Sequence, residues 1–140
     1  MEQMWGFVVV DVVIGRLKDG FAGFTDGRTV WADDRLNAEQ LLCTLMHELV
    51  HVERGHTSHQ SEDVELEVRY EVARRLLPLD RIVGVCKDNK PVSEIAAQLG
   101  VTRRVLMDRA ATLTDEQAKA AGCYECLKCP AIAARNRNHA

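Results

Sequence analysis

The residues of this chain best placed to do chemistry stand together at His47-Glu48-Leu49-Val50-His51. Two imidazoles four positions apart share one face of an α-helix, so both can reach a single metal ion at about 2.0–2.1 Å. Glu48 lies about 100° further round such a helix, off the line of the histidines. From there it can take a proton from a water brought to that ion. The chemistry suggested is metal-assisted hydrolysis, with zinc as the ion and Glu48 as general base. The competing reading leaves both histidines as ordinary groups on a half-exposed helix. A tetrahedral catalytic zinc takes three protein ligands and keeps one position open. His56, His59, Glu62, Asp63, Glu65 and Glu67 all follow closely enough to supply the third. The pattern HExxHxxGxxH is not met, because Gly55 and His56 come four and five residues after His51 instead of three and six. A carboxylate on a packed neighbouring helix is held more rigidly than a loop residue, which favours a ligand from the next helix.

These groups need a firm helix beneath them, and the local sequence specifies one. Asn37 is a good N-cap, and Gln40 three residues on makes a capping-box pair. Leu42, Leu45, Met46, Leu49 and Val52 recur at helical spacing and predict an apolar face packed on a sheet, opposite His47 and His51. The helix is expected to end at Gly55. Upstream, residues 4–33 read as β structure, with turn signals at Lys18-Asp19-Gly20 and Thr25-Asp26-Gly27. The strands expected are Gly6–Ile14, Phe21–Phe24 and Arg28–Ala32, and their spacing predicts a three-stranded antiparallel meander. Downstream, a polar loop over His56–Asp63 leads to a second helix from about Val64 to Leu77, stopped by Pro78. A short helix over Leu79–Cys86 follows. Ser93–Arg109 then reads as helix, turn at Gly100, and a second helix capped by Thr102, the helix-turn-helix pattern. Thr114 and Gln117 cap a last helix.

The zinc-helix residues and the segment after them resemble a known family. Thr44-Leu45-Met46-His47-Glu48-Leu49-Val50-His51, with Glu65-x-x-Val68-Arg69-x-x-Val72-Ala73-Arg74-Arg75-Leu76-Leu77 beyond it, is similar to the ImmA/IrrE zinc metallo-endopeptidases of phages and mobile elements. The likeness spans about residues 5–113. It departs from the family pattern at Val68, Arg69, Glu71 and Val72. The resemblance implies that Glu65 is the third zinc ligand, with Glu62 and Glu67 as neighbouring alternatives. It also implies an α+β fold: a small antiparallel sheet on the HExxH helix, then a helical C-terminal half with a helix-turn-helix-like pair. The organisation expected is a metallopeptidase core over residues 1–78, a helical subdomain over 79–121 and a Cys-rich tail over 122–140. The function implied is cleavage of a partner helix-turn-helix repressor in the cytoplasm. The strand holding Thr29-Val30-Trp31 is expected to border the cleft and pair with an extended substrate. The alternative is a non-catalytic regulator, binding DNA or a repressor on a degenerate protease fold.

Composition narrows the field. The chain of 140 residues is 46% hydrophobic and 28% charged with a net charge of −3, which excludes a disordered chain. The apolar run Phe7–Val10 is cut by Asp11, far short of the roughly 20 residues a membrane helix needs. Met1-Glu2-Gln3 lacks the basic start of a secretory signal, so a cytoplasmic location is expected. Arg103, Arg104 and Arg109 are too few, with Asp108 among them, to argue for direct DNA binding. Five cysteines without a signal read as thiols or metal ligands rather than disulfides. Cys123-x-x-Cys126-x-x-Cys129 is a candidate second metal site, which only Cys86 or His139 could complete. Cys43 reads as a small buried hydrophobe.

Overall fold

In the computed structural model, which describes residues 10–88 and 90–128, the opening segment forms β1 (Asp11–Gly15), β2 (Gly23–Thr25) and β3 (Thr29–Asp33). The expected meander is corrected. The strand order is β1-β3-β2, with β1 parallel to β3 and β2 antiparallel to it. A buried carboxylate at the end of β3 accounts for the change. Asp33 accepts hydrogen bonds from Leu17 N at 3.2 Å, Arg35 N at 2.8 Å and the Arg35 guanidinium at 2.6 and 2.9 Å. The Arg35 guanidinium holds its carboxyl well below the usual carboxylate range. Asp34 N also donates to Gly15 O at 3.0 Å. The chain leaving β1 is thus fastened beside the end of β3 and does not fold back as a hairpin. β3 becomes the central strand, paired on both sides. Thr29-Val30-Trp31 therefore has no free edge, and the substrate-pairing role expected of it is withdrawn.

α1 (Ala38–Glu53) begins as the sequence predicts. The Asn37 side chain accepts from Gln40 N, and the Gln40 side chain accepts from Asn37 N. Its buried stripe is different from the one expected. Cys43, Met46 and Val50 are buried, Leu45 and Leu49 are half-buried, and Leu42 is 44% exposed. The sheet under α1 is narrow, with β2 only three residues long, so it covers a single stripe of the helix. Val30 and Ala32, alternate residues of β3, complete this buried layer.

The end of α1 is a Schellman turn. His56 N donates to His51 O at 2.9 Å and Gly55 N to Val52 O at 3.0 Å, with Gly55 at φ 76°, where a side chain would be strained. The chain then enters α2 (Glu62–Leu76), which starts slightly earlier than predicted.

The chain divides into two compact units, Met1–Val72 and Ala73–Ala140. The second unit holds α3 (Leu79–Ile82), α4 (Val92–Leu99), α5 (Arg103–Thr112), α6 (Asp115–Ala120) and a π-helical turn over Tyr124–Lys128. Gly100 and the Thr102 cap separate α4 from α5. Arg81 donates to the carbonyls of Leu76 and Leu99 at 2.7 and 2.8 Å, tying α3 to the end of α4. The turn at 124–128 packs on α5 and α6. The expectation of no disulfides is also corrected: Cys86 and Cys126, 40 residues apart, are bonded. Cys43 is a buried free thiol, as expected. Among the described residues no helix is long and apolar enough to cross a membrane.

Candidate metal centre

α1 presents His47 and His51 one turn apart, and α2 brings Glu65 to them. His51 Nε2 lies 2.8 Å from Glu65 Oε1 and 3.2 Å from His47 Nε2, and His47 Nε2 lies 3.3 Å from the same oxygen. These three residues form a cluster that could hold one metal ion. The spacing suits that use, since donors about 2.0–2.1 Å from a tetrahedral ion lie roughly 3.3 Å from each other. The second oxygen of Glu65 supports it. Oε2 is buried and makes no hydrogen bond among the described residues, and His59 Nδ1 stands 3.9 Å away. A buried carboxylate oxygen left in this state is costly, and a bound cation would offset that cost.

The electrostatics favour the forms that bind metal. Burial pushes the His51 imidazole down, keeping it neutral with a free lone pair. Burial alone would raise Glu65, but the neighbouring His51 and His47 outweigh it and hold the carboxyl below its ordinary value. Of the candidate third ligands, only Glu65 joins the histidines. Glu62, Asp63 and Glu67 are exposed, and His59 is 87% exposed.

His56 takes a part that the sequence did not reveal. Its Nδ1 lies 2.9 Å from His51 Nδ1. For His51 to offer Nε2 to a metal, its Nδ1 must carry the proton and donate it to His56. The Schellman turn at Gly55 places His56 there, so the turn chemistry was the only available clue. Replacing His56 by Ala is expected to weaken metal affinity about 10–100-fold with all three ligands intact. Competition against a chromogenic chelator measures this, and unchanged affinity would remove His56 from the site.

Glu48 is buried beside the cluster and, with His51 and Glu65, lines a cleft of about 530 Å³. Burial and then the charge of Glu65 push its carboxyl up to about 7. Leu17, Phe21 and Phe24 give the cleft an apolar wall. Gly23 allows β2 to approach Glu48: a Cβ there would sit 2.6 Å from Thr44 Cγ2, 2.8 Å from Trp31 O and 3.5 Å from Glu48 Cγ. A lone glycine in a strand is the usual sign of such an approach. Gly23→Ala is expected to destabilise the fold by about 1–3 kcal/mol in urea unfolding. Adding Thr44→Ala should recover only part of this, because the Trp31 carbonyl is backbone. Full recovery would show that the side chain alone makes the contact tight.

The second sequence candidate is rearranged. Cys126 is bonded to Cys86, Cys123 is a buried free thiol, and Cys129 lies outside the described residues. No protein-family model, curated protein or solved structure matches the chain.

Proposed function

We propose that this chain is a zinc-dependent endopeptidase like the ImmA/IrrE proteins it resembles, cleaving a helix-turn-helix repressor in the cytoplasm. The observation that carries the proposal is the triangle of His47, His51 and Glu65 with buried Glu48 beside it in a cleft. Two imidazole nitrogens and one carboxylate oxygen are a donor set typical of catalytic zinc. Zinc held by these residues would supply the charge that acidifies water and polarises a carbonyl. Glu48, titrating near neutrality, takes the proton of the attacking water on a carboxylate oxygen and passes it to the departing amine nitrogen.

β2, not β3, is the strand suited to hold the peptide. Ala22 O accepts from Asp33 N at 2.8 Å, so the alternation of the ladder turns the N–H and C=O groups of Gly23 and Thr25 away from β3. Both residues line the cleft, where an extended segment can add as a further strand. The apolar wall suits a substrate with an apolar side chain near the cut bond.

The alternative, a non-catalytic regulator, draws on α4 and α5. Arg109 weakens its DNA-binding form. It is buried, with its guanidinium donating to Leu77 O and Thr112 Oγ1, both at 2.7 Å. That leaves Arg103 and Arg104 as the basic groups of α5 for phosphate, a sparse footprint. Co-expression with a candidate helix-turn-helix repressor separates the readings. Wild type should deplete the repressor and produce two fragments, while Glu48→Gln should leave it whole. Equal repressor loss with both would mean binding without proteolysis.

A further inference from the structure

The proposed hydrolysis develops a negative charge that no residue named so far meets. As water adds to a peptide carbon, the carbonyl oxygen takes the π electron pair and becomes an oxyanion, and a donor placed beside it lowers the barrier. The lining of the cleft narrows the choice of donor. Thr25 Oγ1 is committed, donating to Thr29 O at 2.6 Å and accepting from Gly27 N at 3.1 Å. Lys18 belongs to the connection between β1 and β2, on the Leu17 and Phe21 side of the cleft. His59 lines the same cleft and brings Nδ1 to 3.9 Å from Oε2 of Glu65, one of the three cluster residues.

The loop that carries His59 is held against the sheet. A Cβ at Gly27 would lie 3.0 Å from Thr57 Cγ2 and 3.6 Å from His56 O, so the turn between β2 and β3 touches this loop closely. Glu48 meets β2 at its other end, where a Cβ at Gly23 would lie 3.5 Å from Glu48 Cγ. The base and His59 thus enter the cleft from opposite ends of the strand suited to hold the peptide. The His59 side chain is 87% exposed, so it supports little of the core. At 3.9 Å it makes no hydrogen bond to Glu65, and none has to break there when substrate arrives.

We propose that His59 donates a ring N–H to the carbonyl oxygen of the scissile peptide as that oxygen becomes an oxyanion. This role rests on the peptidase reading and adds to it a residue that touches the substrate. The step balances without a further reagent. The water oxygen bonds to the carbon, its proton passes to Glu48, and the π pair moves to the oxygen facing His59. When the C–N bond breaks, that pair returns to restore the C=O bond, and the amine leaves with the proton from Glu48. His59 keeps its own proton throughout, and a neutral imidazole supplies the N–H.

Two inhibitors with the same leucine side chain test this. A phosphinic tripeptide carries two oxygens on a tetrahedral centre and imitates the adduct. A mercaptoacyl dipeptide attaches to a metal through one sulfur and offers no such oxygen. In calorimetric titrations of the full-length, zinc-loaded protein, His59→Ala is expected to bind the phosphinic peptide at least about tenfold more weakly than wild type, and the mercaptoacyl peptide within about twofold. His59→Gln, whose amide N–H can donate, should recover part of the loss. Zinc affinity and the urea midpoint should match wild type, as befits an exposed position. Equal weakening of both inhibitors, or of neither, overturns the proposal. A fall in zinc affinity also overturns it, because His59 would then be a support for Glu65. If zinc-loaded wild type binds neither inhibitor, the peptidase reading fails and this role falls with it, a result distinct from the other two.

Discussion

Replacing Glu48 by Gln is expected to lower peptide cleavage by about 10²–10⁴-fold while leaving metal content equal to wild type. Glu48 is outside the triangle of His47, His51 and Glu65, so the proposed mechanism uses it for turnover and not for holding an ion. The same change should raise the stability of the metal-free protein at alkaline pH. Folding lifts the Glu48 carboxyl from 4.5 to about 7, because burial and then the charge of Glu65 disfavour ionisation. The folded state therefore binds this proton more tightly than the unfolded chain does. Its contribution is complete below about pH 4.5 and is lost as pH rises through about 7. Above that, an ionised Glu48 costs the metal-free fold on the order of 3 kcal/mol. Urea unfolding of both proteins without metal at pH 5 and pH 8.5 tests this. The Gln variant should gain at pH 8.5 and show little difference at pH 5. A loss of stability at both would mean that the Glu48 carboxylate is satisfied in a way burial does not predict. A general base poised near neutrality is useful to the reaction and burdensome to the resting fold.

Removing Glu65 is expected to have the largest effect on the metal. Glu65→Ala deletes one of three donors and should weaken zinc affinity by more than about 100-fold, beyond the loss expected from a supporting residue. Cleavage should disappear with the metal and return partly at high zinc. Glu62→Ala and Glu67→Ala, at exposed positions of the same helix, should change affinity less than about twofold. Isothermal titration of the three variants reads the register of α2. If Glu62→Ala or Glu67→Ala produced the large loss instead, α2 would be turned relative to α1.

Local features were legible in the sequence. The Asn37–Gln40 capping box, the placement of His47 and His51 on one helical face, and the Thr102 and Thr114 caps depend on residues within one turn of each other. Glu65 was reached only through a resemblance, since spacing alone left Glu62 and Glu67 open and the phase of α2 against α1 is a tertiary property. The strand order was misread because turn signals at 18–20 and 25–27 suggest hairpins and say nothing of the Asp33–Leu17 and Asp34–Gly15 bonds that hold β1 parallel to β3. Counting leucines misplaced the buried face of α1, because a narrow sheet covers Cys43, Met46 and Val50 and leaves Leu42 outside. The Cys86–Cys126 bond joins segments 40 residues apart, a distance at which no periodicity operates.

The turn that ends α1 also acts as a ruler. His56 meets His51 because one glycine in a left-handed conformation returns the chain by a fixed number of residues. An insertion or deletion between positions 51 and 56 would shift that register and separate the two rings, although Arg54 and Gly55 themselves are exposed. The loop from 57 to 61 carries no such constraint on this pair. The stretch from 52 to 56 is thus fixed in length by the contact between two imidazoles, while residues 57 to 59 that follow it form part of the rim of the cleft.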